Sequence, residues 1–236
     1  MRVKAKWLLW FVVLAFGMVS ACVKVDDLVK KIDQHGSLSQ DQIAAGLKEA
    51  LRVGSSSVVG RLGRMDGFNK DGFAHILLPK NLAKVQTTLK KIGYGRYLDD
   101  LELKLNRAAE KATPRARQLF IDAIKQLSWA DVKQIYKGPN DAATRYFEQK
   151  MTAPLKKSMY PVINTALAEV GAIRSYERTM NKYKSIPFVP DVRADLTDYT
   201  IDKTLRAVFH YLAREEAAIR QDPAKRTTEL LRKVFG

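Results

Sequence analysis

Cys22 is the residue of this chain whose neighbours declare a chemistry most directly. It is the sole cysteine, and Val19-Ser20-Ala21 precede it. Small residues there suit the narrow groove of a signal peptidase that cuts between Ala21 and Cys22, and a thiol is the nucleophile that accepts a diacylglyceryl group. Upstream, Arg2, Lys4 and Lys6 form a basic start, and Trp7 to Val19 is apolar apart from Gly17. A basic n-region, a short apolar core and small residues before the cut are the marks of a secretory signal. The run is shorter than the roughly 20 apolar residues of a membrane-spanning helix. Lipidation also removes the only thiol from an oxidising compartment, and without a second cysteine no disulfide can form.

Val-Ser-Ala-Cys resembles the bacterial lipobox, which implies acylation of the new amino terminus. The expected division is a cleaved signal over residues 1–21, a lipidated tether over 22–38 and a helical domain over 39–236. Several acyl chains make such an anchor effectively permanent. Val23 rather than Asp after the cysteine favours the outer membrane facing the periplasm, by analogy with enterobacterial sorting. The chain carries a formal net charge of +16. Three of those charges lie in the leader, so the rest keeps about +13. For an exported protein this points to anionic headgroups or acidic envelope polymers, not to nucleic acid. The cations are spread along the chain, as on a solvated basic surface.

Three further stretches set polar residues inside apolar helical patterns. In the first, Glu102, Asn106 and Glu110 recur every fourth residue on one flank, with Arg107 beside them. In the second, Asp141 and Arg145 form an i,i+4 pair, with Glu148 within reach. In the third, the stripe Leu205, Phe209, Leu212 projects onto Glu216 and Ile219, beside Glu215 and Arg220. A carboxylate on a buried stripe needs a partner, and Arg145 or Arg220 would serve. These residues have two readings. Carboxylates with a raised pKa do acid–base work, and Arg107 or Arg145 can clamp a ligand carboxylate or phosphate. The plainer reading is an ion pair that fixes helix register, and it is preferred. His35, His75 and His210 have no second metal ligand at helical spacing, and His210 reads as a core residue. No metal site and no cofactor motif is found.

The elements that must position these residues are helices. Ser39-Gln40-Asp41-Gln42 is a capping box opening one helix toward Leu62, with a candidate kink at Gly54. Met65 to Pro79 reads as a packed loop. Helices follow over Asn81–Ile92 and Tyr97–Lys111. Thr113-Pro114 is expected to break the second and begin another. Ser128 caps a short helix, Asp141–Met151 is the next, and Thr152-Ala153-Pro154 is expected to start a separate one that Pro161 kinks. Ile173–Tyr183, Asp195–Arg220 and Ala224–Val234 complete a single all-α domain.

Asn106-Arg107-Ala108-Ala109-Glu110, Ala142-Ala143-Thr144-Arg145-Tyr146-Phe147, Glu215 to Arg220 followed by Asp222 to Arg226, and the terminal Leu231 to Gly236 resemble, in that order, the DUF4197 family. The resemblance spans nearly all of the chain beyond the leader. It implies a bacterial exported protein, often a lipoprotein, and supplies no reaction and no catalytic residue. The leading expectation is therefore a non-enzymatic envelope lipoprotein whose domain binds a hydrophobic or anionic ligand, or a protein partner, at the membrane. The alternatives are a hydrolase or transferase built on Glu110, Glu215 or Glu216, and a purely structural assembly factor. A cleft with Arg107 or Arg145 at its mouth would favour ligand binding. Burial and mutual pairing of the clusters would make them architectural.

Overall fold

The computed structural model describes residues 38–115, 117–190 and 194–236, and Ala21, Cys22, the leader, His35 and most of the tether lie outside them. The first described helix opens on the expected capping box. The Gln42 main-chain N–H donates to the Ser39 hydroxyl at 3.2 Å, and the Ser39 N–H donates to the Gln42 side chain at 3.0 Å. This starts α1 (Gln40–Leu62), which passes through Gly54 without a break. Its buried face includes Leu47, Leu51, Val58 and Leu62, a helical repeat.

After an irregular segment come α2 (Lys80–Lys91), α3 (Arg96–Arg115), α4 (Arg117–Lys125), α5 (Trp129–Tyr136) and α6 (Ala142–Glu169). Then follow α7 (Ala172–Lys184), α8 (Leu196–Gln221), a 3-10 turn at Pro223–Lys225 and α9 (Glu229–Phe235). Ser128 and Asp131 close a second reciprocal capping box at α5. The described residues contain helices and no strands, so the fold is all-α. None of these helices is long and apolar enough to cross a membrane.

Two expected breaks are absent. The helix α3 runs on through Thr113-Pro114 to Arg115. Pro114 removes the one N–H that would reach the Glu110 carbonyl, and the buried face of α3 through Ala108, Ala109, Ala112 and Thr113 holds the helix across it. The larger difference is α6, a single helix that contains both Pro154 and Pro161. Each proline removes the donor that would reach the carbonyl four residues back, at Lys150 and Lys157. Those two lysines and both prolines are exposed, so water reaches the orphaned carbonyls. On the opposite face Leu155, Met159, Ile163, Ala166 and Leu167 form one uninterrupted buried stripe. Packing along that stripe outweighs the local helix penalty.

The most extensive packing is between α6 and α8, with α1 against α8, α3 against α6, and α7 against α3. Their common core draws on every helix from α1 to α8. A smaller cluster of Ala50, Ile219 and Leu231 fastens the C-terminal helix α9. Residues Ser39–Gly236 form one compact unit with this core inside it. Buried threonines on α8 satisfy themselves: Thr200 donates to Leu196 O at 2.6 Å, and Thr204 donates to Thr200 O at 2.7 Å.

The seat of α9 depends on one missing side chain. A Cβ on Gly46 would lie 2.3 Å from Val234 Cγ2 and 2.8 Å from its Cβ. Valine is stiff at χ1 and cannot swing clear. Gly46→Ala is expected to cost about 1–3 kcal/mol by overpacking. Val234→Ala in the same chain should return part of that loss, because the two changes share one contact. Urea unfolding of the two single variants and the double variant measures the coupling.

Candidate functional site

Along α3 the side chains of Glu102, Asn106 and Glu110 stand one turn apart, and the irregular segment between α1 and α2 lies across them. Glu110 Oε1 accepts the main-chain N–H groups of Phe68 at 3.1 Å and Asn69 at 3.0 Å. Asn106 Oδ1 accepts from Ile76 N at 2.8 Å, and its amide donates to Ile76 O and Glu102 O, both at 2.9 Å. Glu102 Oε2 accepts from Leu78 N at 3.1 Å. Three evenly spaced side chains thus supply the acceptors that a buried non-helical backbone lacks. His75 sits between these rungs, with Nδ1 2.7 Å from Asn69 O and Nε2 3.1 Å from Glu102 Oε1.

Arg107 closes the ladder at its far end. It donates to Glu110 Oε2 at 2.6 Å and to Asp66 Oδ1 at 2.8 Å. Asp66 has φ of 64°, in the left-handed region, and Lys70, Arg107 and Asn69 together hold its carboxyl below the usual range. Glu110 and Asn106 are buried. Arg107 does border an open hollow of about 500 Å³ beside Met65 and Leu103, but its guanidinium is engaged by two carboxylates.

Glu216 does a similar task at the start of α6. Asp141, the N-cap of α6, makes no side-chain capping bond. Glu216 reaches across from α8 and supplies it. Its Oε1 accepts from Ala143 N at 3.0 Å, and its Oε2 accepts from Thr144 N and Thr144 Oγ1, both at 2.9 Å. A carboxylate is also the charge that the positive end of a helix dipole favours. Arg220, one turn on, lies 3.0 Å from the same carboxylate and donates to Ile135 O at 3.0 Å, tying in the end of α5. Both side chains are nearly sealed, at 4% for Glu216 and 9% for Arg220. Of the two partners that the sequence allowed, Arg220 is the one present.

The remaining sequence candidates are dispersed. Arg145 is exposed at the mouth of a hollow of about 300 Å³ and donates to Asp141 at 2.8 Å. Glu148 is exposed one turn on, and its main-chain carbonyl accepts the Thr152 hydroxyl. Glu215 accepts from Ser57 Oγ at 3.3 Å. Among the described residues no group of three His, Cys, Asp or Glu side chains is placed to hold a metal ion.

The feature that sequence reasoning missed lies on the other side of the irregular segment, where it faces α8. Tyr199 Oη donates to Leu77 O at 2.7 Å, and Phe73 stacks on His210 at 3.6 Å. Asp71 accepts from Tyr211 Oη, from Phe73 N and Ala74 N at 2.9 Å, and from Arg61 at 3.0 Å. Between these fastenings opens a cleft of about 530 Å³, walled by Phe73, Leu77, Tyr199, Lys80, Lys203 and Arg206, with no carboxylate among the described residues that line it. The Lys203 ammonium lies 5.2 Å from the Tyr199 ring and the Arg206 guanidinium 5.1 Å from the Phe73 ring. Both cations are thus held near an aromatic face. Asp202, the acid nearest in sequence, pairs with Lys156 instead. Burial, and then the Glu102 carboxylate, push the Tyr199 phenol above its ordinary value, which keeps it a donor. Burial and then Arg214 push the His210 imidazole down, toward the neutral form that stacks on Phe73. The signal available in the sequence was the spacing Tyr199, Lys203, Arg206 on one helical face.

Two measurements test this assignment of roles. Arg220→Met should strand a buried carboxylate and cost about 3–5 kcal/mol, with Glu216→Gln in the same chain restoring part of it. Urea unfolding reads both. For Asp71, burial works against the carboxylate, yet the bonds from Tyr211, Ala74, Phe73 and Arg61 outweigh it and lower the pKa from 3.8 to about 2. A depressed folded value means that its stabilisation is complete above pH 3.8 and is lost as the pH falls through about 2. Asp71→Asn should flatten the stability profile across that window, as followed by far-ultraviolet circular dichroism.

Among curated proteins and among solved structures none matches this chain. A family model does, over residues 37–236, which is most of the chain and includes the α3 ladder, the Glu216 cap and the cationic cleft. The chain belongs to the DUF4197 family, whose description is protein of unknown function.

Proposed function

We propose that this protein is an envelope lipoprotein, anchored through acylated Cys22 in the outer membrane and facing the periplasm, whose helical domain binds an amphiphilic anion without transforming it. The observation that carries the binding reading is the cleft along α8. Lys80, Lys203 and Arg206 line it with no carboxylate among the described lining residues, while Phe73, Leu77 and Leu78 give it an apolar wall. Three cations along one cleft suit a phosphate or carboxylate head, and Arg206 offers it a planar fork. The apolar wall suits the attached hydrocarbon.

The lipobox, the basic leader and the excess of cations support the location. The engagement of the acids supports a binding role over an enzymatic one. Glu110 and Glu216 are buried, and each accepts main-chain N–H groups and an arginine. A general base needs an oxygen that reaches the substrate, and these oxygens already have partners.

Native mass spectrometry of the mature protein, taken from its own envelope, tests the reading. An acyl-bearing anion should travel with the domain, and Lys203→Ser with Arg206→Ser should lower its affinity roughly a hundredfold, since each charge-assisted bond contributes about 1.5 kcal/mol or more. Repeated isolation of an empty monomer would overturn it. Cys22→Ser should release the protein from the membrane, and unchanged retention and processing would remove the anchor from the proposal.

A further inference from the structure

The far end of α2 carries a second cationic surface, remote from the cleft. No Asp or Glu occurs between Asp71 and Asp99, whereas Lys90, Lys91 and Arg96 crowd the turn after α2. No acid occurs between Glu177 and Asp191 either, where Lys182 and Lys184 close α7. Three successive contacts lay these two stretches side by side. Ser175 donates to Asp100 at 2.6 Å, Thr179 to Tyr97 O at 3.5 Å, and the Lys182 ammonium sits 4.1 Å from the Tyr94 ring. The next turn of α7 therefore ends beside Ile92 and Gly93.

Two large apolar side chains are exposed on the two stretches that these contacts pair, one in the turn after α2 and one four residues beyond α7. Ile92 is 47% exposed, and Phe188 is 104% exposed. Phe188 has φ of 61°, a left-handed conformation unfavourable for a bulky residue. Its neighbours Ile186 and Val189 pack against the core and fix the loop, so the ring is held outward by the structure around it. Exposed aromatic and aliphatic tips on stretches that carry lysines and no acid match the boundary of an acidic bilayer, where rings enter the acyl edge and ammonium groups meet phosphate.

From this juxtaposition we infer that the end formed by Ile92, Phe188, Lys90, Lys91 and Lys182 rests on an anionic phospholipid surface. This contact is separate from any ligand in the cleft and from the acyl anchor. It gives the domain a fixed face toward the membrane.

The test uses residues 39–236, which contain the whole described core and omit the hydrophobic leader. This domain should sediment with phosphatidylglycerol vesicles and not with phosphatidylcholine vesicles. Phe188→Ser with Ile92→Ser should lower the partition about tenfold, the equivalent of losing part of one buried aromatic side chain. Both positions are exposed, so the variant keeps its fold, which its melting curve checks. Phe188→Trp, in a Trp129→Phe background that leaves no other tryptophan in the domain, should shift its emission to the blue on acidic vesicles. Equal binding to both vesicle types, no binding to either, or an unchanged partition of the double serine variant would overturn the inference. So would loss of vesicle binding through Lys203→Ser with Arg206→Ser alone, since that would move the contact to the cleft.

Discussion

A stretch of non-helical backbone buried in a helical protein has nowhere to send its N–H groups, and this molecule solves that problem from α3. Each unpaired buried donor would cost about 1–3 kcal/mol. Glu110, Asn106 and Glu102 meet the donors of Phe68, Asn69, Ile76 and Leu78 in sequence order, so that the segment is read out against the helix one turn at a time. The consequence is positional. Once the segment is fixed on α3, its other edge must face α8, where Asp71, Phe73 and Leu77 find Tyr211, His210 and Tyr199. The cleft exists because those two seams hold the segment apart from α8 over Lys203 and Arg206. Its shape therefore rests on side chains that do not line it.

The start of α6 follows the same logic with a helix in place of a loop. A buried N-terminus without a cap of its own has orphaned donors, and Glu216 on α8 fills that need from across the core. Arg220 then balances the charge and reaches back to α5. One residue pair joins three helices. This explains why a charge lies on an otherwise apolar stripe: the carboxylate bonds to main chain as well as to its ion-pair partner, which offsets its desolvation.

Helices, caps and the packed character of the Met65–Pro79 segment were legible in the sequence because they depend on local spacing. So were the one-turn repeat of Glu102, Asn106 and Glu110 and the need of Glu216 for a partner. The continuity of α6 was not, since proline is a local signal and the stripe Leu155, Met159, Ile163 that overrides it gains its energy from α3 and α8. The choice of Arg220 over Arg145 was hidden for a similar reason. It depends on which helix end meets α8, a long-range fact. The cleft was least legible, because Lys80 lies more than a hundred residues from Tyr199 and Lys203 along the chain, and the fastening of the segment on α3 and α8 brings them together.

The charge of the surface follows from these internal demands. The sequence holds 41 Lys and Arg against 25 Asp and Glu. Several of those few acids are drawn inward as acceptors for backbone: Glu102, Glu110 and Glu216 on helices, and Asp71 on the segment. Others are matched to cations at the surface, as Glu169 is to Lys111 and Arg115. A carboxylate paired with a cation in this way contributes little net field to solvent. The interval from Gly72 to Leu98 has no acids at all, and it contains one wall of the cleft and the rim beside Ile92. Carboxylates that hold the irregular segment are thus withdrawn from the surface, and the acid-free interval beside them carries cations on one wall of the cleft and at the Ile92 rim.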